Sequence, residues 1–179
     1  KRGRLITAAE YADIYAKAGP RLQVIMELLV LTGQRITAVL TIKRADLLDE
    51  GIRFPPHKTE TKRIVRWTPE LRAVVERAKT LNGNIRALTL LHNAKGKPPD
   101  YSTVKIQWSK ACAAANVEDA HLHDLRAVAA TEAQKQGKNA TALLGHTNEQ
   151  QTKRYLRGRE EPIVDGPSFR HLIDKATKS

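Results

Sequence analysis

The segment RLQVIMELLVLTG, residues 21–33, limits the possible folds more than any other part of this 179-residue chain. Its near-continuous apolar character predicts a helix that ends at Gly33, because glycine is a common residue just past a helix end. The run is shorter than the roughly 20 apolar residues that a membrane-spanning helix needs, so no membrane partner is expected. Aromatic residues make up only 4% of the chain, so the core must be built from Leu, Ile, Val and Ala.

The rest of the chain contains mostly helical signals. Capping patterns at Thr7 to Glu10 and at Thr68 open two helices. Further helices are predicted in the segments RITAVLTI, YSTVKIQWSKACAAANV, HDLRAVAATEAQKQG, NATALLG and TNEQQTKRYLRG. Two short β-prone runs, Ile52 to Phe54 and Ile64 to Trp67, flank a polar stretch and predict a β-hairpin. The predicted fold class is therefore α+β and mostly α-helical, a helical bundle with a small antiparallel β-sheet.

The charge of the chain points to a polyanionic partner. Lys and Arg number 31 against 19 Asp and Glu, which gives a net charge of +12 and a pI near 10.0. Such a balance favours nucleic acid as the simplest partner. On charge alone, a merely soluble basic protein remains an alternative.

The residues that could bind a metal or form a disulfide are few. The single cysteine, Cys112, excludes an internal disulfide and a cysteine-based zinc site, and its Ala-rich helical surroundings predict a small buried hydrophobic residue. No acidic cluster suits Mg²⁺, so we expect no metal and no cofactor. With no signal peptide, these features predict a reducing compartment, the cytoplasm.

Two short motifs carry arginines that could clamp a phosphate. In HLHDLR, His123 and Arg126 are three residues apart, so on a helix they share a face near its amino end. In LTGQR, Arg35 follows Gly33 and lies between two predicted helix ends, which suits a bidentate contact. Taken alone, each motif is more often a set of solvated surface charges.

Two lysines lie at the tip of the predicted hairpin. In the segment HKTETK, Lys58 or Lys62 could reach into a DNA groove, or donate a proton if cationic neighbours lower its pKa. The commoner role of a lysine at such a position is to protect a strand edge from aggregation.

The segment LGHTNEQQTKRYL raises the question of how a histidine and a tyrosine could act together. A capping box at Thr147 and Gln150 predicts a helix that begins at about Asn148, directly after His146. Tyr155 then lies about 12 Å further along the axis. At that spacing the His146 and Tyr155 side chains are not expected to touch as a catalytic dyad, but they could grip one phosphate from two sides.

Together and in this order, the motifs resemble those of the tyrosine recombinases, the phage-integrase family, over about residues 5–156. The shared features are an arginine in a TG-x-R context, a hairpin lysine, an H-x-L-R box, an L-G-H box and a tyrosine nine residues beyond that last histidine. The resemblance implies six catalytic residues: Arg35, Lys58, His123, Arg126, His146 and Tyr155. The family often has an acidic residue three positions after the first arginine. Here it is Ala38, and Asp46 could compensate.

The resemblance also implies a mechanism, site-specific DNA recombination through a covalent intermediate. Tyr155 would attack a phosphodiester, form a 3′-phosphotyrosyl bond and release a 5′-hydroxyl. Arg35, Arg126 and His146 would stabilise the charge on the phosphate. His123 would exchange a proton with the tyrosine, and Lys58 would protonate the leaving oxygen.

The family's organisation implies further expectations. Residues 1–179 would be one catalytic domain, with a core at 5–156 and a C-terminal tail at 157–179 that docks on its own or a neighbouring protomer. The N-terminal domain with which the family clamps DNA is absent from this chain. The implied partners are double-stranded DNA and further copies of the protein in a synaptic tetramer, although the isolated domain could be monomeric.

Two alternatives remain open at this point. A type IB topoisomerase shares the chemistry but relaxes supercoils instead of joining two sites, although the L-G-H box and the small size favour the integrase branch. A non-catalytic DNA-binding module would use the basic surface alone, and the placement of Tyr155 argues against it.

Overall fold

Helix α2 (Pro20–Thr32) lies at the centre of the fold, because most of its side chains are apolar and buried. A computed structural model of the chain describes residues 4–56, 61–81, 83, 85 and 87–156, with Lys153, Arg154 and Leu156 described for their backbone only. The other helices are α1 (Ala8–Lys17), α3 (Ile36–Leu40), α4 (Pro69–Thr80), α5 (Tyr101–Ala114), α6 (Asp124–Lys135), α7 (Ala140–Leu144) and α8 (Glu149–Leu156). A 3-10 turn covers Arg44–Asp46, and the strands are β1 (Gly51–Phe54) and β2 (Arg63–Arg66).

The helices surround α2 on several sides. Helices α4 and α6 pack directly on α2, while α7 and α8 pack on α6, and α1 packs on α5. Helix α6 can approach its neighbouring helices closely because four of its buried side chains are small alanines, at positions 127, 129, 130 and 133. This arrangement brings the C-terminal end of α2, the first turns of α6 and the whole of α8 to one side of the molecule, where the candidate site lies.

The two strands pair antiparallel, with Gly51 opposite Arg66 and Phe54 opposite Arg63. Both runs predicted as strands are therefore found, each beginning one residue earlier than expected. The predicted fold class, mostly α-helical with a small antiparallel sheet, is confirmed.

Most predicted helix starts are confirmed by their caps. The Thr7 side chain accepts from the backbone of Glu10 in a complete capping box, and Thr68 accepts from Leu71. The predicted cap of the last helix, α8, is wrong by one residue. The backbone N–H of Gln151 in its first turn donates to the side chain of Asn148 and not to that of Thr147. Asparagine and threonine are both favoured at this position, so the local sequence does not distinguish them.

Several sequence predictions concern other parts of the molecule. Cys112 is buried in α5, as predicted. None of the helices in the described part of the chain is long and apolar enough to cross a membrane. Lys58, which the sequence predicts at the hairpin tip, and the tail at residues 157–179 lie outside the described residues.

Candidate active site

Two glycine turns meet at the base of the site. Gly33 ends α2 and Gly145 ends α7, and both adopt the left-handed conformation, with φ of 64° and 68°. A Cβ atom at Gly33 would lie 3.1 Å from side-chain atoms of Leu143 and Leu144, so the two turns are in close contact. Glycine is needed at both turns because other residues rarely adopt this conformation.

Arg126 connects these two turns from the inside. Its side chain, on the first turn of α6, is only 1% exposed. Nη1 donates to the Gly33 carbonyl at 2.7 Å, and Nη2 donates to the Leu144 carbonyl at 2.8 Å. The alternative that His123 and Arg126 are a solvated surface pair is therefore wrong for Arg126, which is a buried cation with fixed orientation.

His146 is oriented by two hydrogen bonds that determine where its proton lies. Nη2 of Arg126 lies 3.0 Å from Nε2 of His146. A guanidinium can only donate, so Nε2 accepts and the proton is on Nδ1. Nδ1 lies 2.9 Å from Oγ1 of Thr152, a side chain that is 3% exposed on α8. His146 is therefore held as the neutral ring, and the positive charge beside it belongs to Arg126.

Tyr155 lies over this pair on the last turns of α8. Its ring stacks on that of His146 with centroids 5.5 Å apart, and the guanidinium carbon of Arg126 lies 5.7 Å from the Tyr155 ring centroid. The expectation that His146 and Tyr155 do not touch is wrong. Helix α8 begins only at Glu149, and the His146 side chain turns toward Thr152, one turn before Tyr155.

The hydroxyl of Tyr155 forms a hydrogen bond with a second histidine, His123. It lies 3.2 Å from Nε2 of His123, the residue that precedes α6. The pKa of His123 is lowered, first by burial and then by the positive charges of Arg126 and Arg35, while Asp124 opposes the shift. At neutral pH, His123 is therefore held in its neutral form, which can accept a proton from a phenol.

Arg35 lies at the junction between α2 and α3, as predicted, where it precedes the first residue of α3. It lines a cavity of about 630 Å³ together with Ala38, Arg53 and Lys62. Asp46 also lines this cavity, but its carboxylate accepts from Arg53 at 2.7 Å. Asp46 was expected to take the place of the acidic residue that is missing at Ala38. In this structure its carboxylate binds Arg53.

Three residues of the site region were missed by the sequence analysis. Thr152 precedes Tyr155 by three positions, so a shared helical face is a signal that could have identified it. Gln34 is 1% exposed and precedes Arg35, and Arg63 on β2 donates to its side-chain oxygen. Nothing in the local pattern indicates that these last two residues meet.

The arrangement can perform one kind of chemistry well. A phenol with an ordinary pKa near 10 needs a base and a cationic pocket to act as a nucleophile. The neutral ring of His123 lies at its hydroxyl, and the guanidinium of Arg126 lies beside its ring. Arg35 adds positive charge close enough to affect His123. An anion with several oxygens, such as a phosphodiester, suits this group.

The family model described as "Phage integrase family" matches residues 3–161 of this chain. The integrase of Escherichia phage HK022 is 32% identical over 175 residues, which cover 89% of this chain and 49% of that protein. The chain spans about half the length of the curated relatives it matches.

Solved structures extend the similarity to the fold. The lambda integrase catalytic core is 28% identical with a TM-score of 0.68, over 81% of this chain and 96% of that one. A lambda integrase tetramer bound to a Holliday junction is 26% identical with a TM-score of 0.75, over 90% of this chain and 50% of that one.

Proposed function

This chain belongs to the phage integrase family, and from that premise we propose that it is the catalytic domain of a site-specific recombinase that integrates or excises DNA. The reaction is strand cleavage and rejoining through a 3′-phosphotyrosyl bond at Tyr155. Residues 5–156 form the catalytic core of this domain, and the longer relatives contain further segments.

The hydroxyl of Tyr155, 3.2 Å from Nε2 of His123, is the observation that carries this proposal. His123 accepts the phenolic proton as the oxygen attacks phosphorus, because its lowered pKa keeps the ring neutral at physiological pH. The new bond forms to phosphorus as the bond to the 5′-oxygen breaks. The phosphotyrosyl bond keeps the energy of the phosphodiester, so rejoining needs no external energy source.

The other side chains have separate roles in this scheme. Arg35 and Arg126 bind the non-bridging oxygens of the scissile phosphate and stabilise the charge that develops there. His146 orients Arg126 and supports the tyrosine ring, a role consistent with its neutral state. Lys58 protonates the leaving 5′-oxygen, with Lys62 as the alternative donor.

The partners follow from the reaction and from the relatives. The substrate is double-stranded DNA at attachment sites, consistent with a net charge of +12. Recombination needs two sites at once, and the lambda integrase tetramer on a Holliday junction is the model for how copies of this chain associate on DNA. The reaction then takes place where the DNA lies, in the cytoplasm or nucleoid of a bacterial host.

A nicked suicide duplex tests the proposal directly. The parent chain, incubated with this duplex and EDTA, is expected to give a denaturant-resistant protein–DNA band, and Tyr155→Phe is expected to give none while binding DNA equally well. Tyr101→Phe is the matched control, because that tyrosine is exposed on α5 and should keep the band. An adduct from the Tyr155 variant, or none from the parent, contradicts the proposal.

The role of Lys58 has its own test. A 5′-bridging phosphorothiolate has a leaving group that needs no proton, so it should restore cleavage by Lys58→Ala to the parent rate. A slow reaction on that substrate would assign the proton donor elsewhere and make Lys62→Ala the next variant to measure.

A further inference from the structure

The turn that presents His146 is held by three distant segments. At the end of a helix the last carbonyls lack partners within the helix. Here, three consecutive carbonyls each accept from a different part of the chain. The Leu143 carbonyl accepts from Gln34 at 3.1 Å, that of Leu144 from Arg126 at 2.8 Å, and that of Gly145 from the Thr61 amide at 3.0 Å.

Arg63 closes this arrangement from the side of the hairpin. Its guanidinium lies directly on Gly145, where an added Cβ atom would overlap it. Nη1 donates to the Thr61 carbonyl at 2.6 Å, and the Thr61 amide in turn binds Gly145. The planar shape of the guanidinium matters, because a rounded ammonium group cannot lie flat against a glycine backbone and also donate at its edge.

The other side of Arg63 reaches the turn that carries Arg35. Nη2 of Arg63 donates to Oε1 of Gln34. The Gln34 amide nitrogen donates to the carbonyls of Thr32, at 2.7 Å, and Leu143. Gln34 is 1% exposed, so this amide is fixed in a buried position with a donor and an acceptor on opposite sides. One network therefore joins β2, the end of α2 and the turn after α7.

We propose that Arg63, anchored by Gln34, is a positioning residue that holds the Gly145 turn and thereby fixes the imidazole of His146 against Arg126 and Tyr155. This inference rests on the proposed function, because it assigns a role in the cleavage reaction. Arg126 holds the same turn from inside the site, and Arg63 holds it from outside.

A double-mutant cycle tests whether Arg63 acts through His146. In single-turnover cleavage at saturating DNA, Arg63→Ala is expected to be slower than the parent by about 10- to 100-fold, the scale expected for a misplacement near 1 Å. In a His146→Ala background, Arg63→Ala should lower the cleavage rate by less than about threefold, because the imidazole that Arg63 positions is no longer present. Arg63→Lys should be as slow as Arg63→Ala, although it keeps the charge.

Arg66→Ala is the matched control. It removes the same charge from the same strand at an exposed position, so its cleavage rate at saturating DNA should equal that of the parent. Equal slowing by Arg63→Ala with and without His146, or a full rate for Arg63→Lys, would overturn the proposal.

Hydrogen exchange gives a readout that needs no activity. The Thr61 amide should exchange slowly in the parent chain and in Arg66→Ala, and faster in Arg63→Ala, because the last variant loses the contact that holds Thr61 on Gly145. Unchanged protection of the Thr61 amide in Arg63→Ala refutes the proposal that Arg63 holds the Gly145 turn. If the parent chain forms no covalent adduct, the proposed function fails. The exchange rate of the Thr61 amide then shows by itself whether Arg63 holds this turn.

Discussion

Arg126 and Arg35 are both proposed to bind the phosphate, but their surroundings differ. Arg126 donates to two backbone carbonyls and to His146 from a buried position, so the fold depends on its guanidinium. Arg35 is half-buried and lines an open cavity. The same conservative substitution should therefore have different consequences at the two positions.

Arg126→Lys is expected to slow cleavage by on the order of 100-fold or more and to lose roughly 2–4 kcal/mol of unfolding free energy, because one ammonium nitrogen cannot replace both Nη1 and Nη2, which donate to different acceptors. Arg35→Lys should lose cleavage to a similar degree but less than about 1 kcal/mol of stability. Denaturant unfolding and suicide-substrate cleavage of both variants check this. Equal losses of stability would contradict the difference in their roles.

A second residue-scale prediction concerns the pH dependence of cleavage. The pKa of His123 is lowered from its usual value near 6.5, and Asp124 opposes that shift. As a base, neutral His123 makes the cleavage rate rise with pH through its pKa and level off above it. Asp124→Asn removes the opposing charge, so the pKa should fall further and the acidic limb should move to lower pH.

Single-turnover rates across a pH series measure this displacement. The asparagine can still accept the backbone N–H of His121, which Asp124 binds at 2.9 Å, so the α6 start is preserved. Glu132→Gln on the same helix is the control and should leave the limb in place. A limb that moves upward in Asp124→Asn, or stays fixed, is incompatible with His123 as the base.

At the scale of elements, the candidate site is built from helix ends. The turns at Gly33 and Gly145 end α2 and α7, and His123 precedes the first residue of α6. Helix α8 contributes two side chains one turn apart, Thr152 and Tyr155. Since Thr152 binds His146, the helix that carries the tyrosine is fixed to the turn before it.

Gly145→Ala tests how tightly this turn is enclosed. Gly137→Ala is the control, because Gly137 has a similar φ of 67° but nothing within 4 Å of an added Cβ atom. The control should lose about 1–2 kcal/mol from the left-handed conformation alone. Gly145→Ala should lose more, since the methyl group must displace Arg63. Thermal or denaturant unfolding should show this excess disappear in an Arg63→Ala background, and an excess that persists would place the obstruction elsewhere.

At the scale of the whole molecule, we expect the net charge of +12 to govern the proposed encounter with DNA. Cations that contact phosphates release counterions, so the logarithm of the binding constant falls linearly with the logarithm of the salt concentration. Phosphate contacts carry no base information, so this chain alone should discriminate weakly between sequences.

Fluorescence anisotropy of Tyr155→Phe with a duplex, over a salt series, measures this binding without covalent capture. For several phosphate contacts, affinity should fall by at least about 100-fold between 50 and 200 mM salt. A flat response, or strong sequence preference that survives high salt, would show that base contacts dominate.

The sequence alone determined most of the helices and strands, and it was sufficient to propose the reacting groups. Helix caps at Thr7 and Thr68, the apolar run that ends at Gly33 and the two β-prone runs are local signals, because they depend on neighbours within a few residues. Motif order was sufficient to propose His123 and Tyr155 as partners, and their 3.2 Å contact agrees with that proposal.

Only the tertiary structure decided how these groups are held. Arg126 and the Gly33 carbonyl are 93 positions apart, and Gln34 and the Leu143 carbonyl are 109 apart, so no local pattern indicates that either pair meets. The stacking of His146 on Tyr155 likewise depends on how the chain turns before α8, which a distance along a helix axis does not include. Such contacts form when the packing of α6 on α2 and of α7 on α6 brings helix ends together, and the polar groups left open at those ends then bind one another.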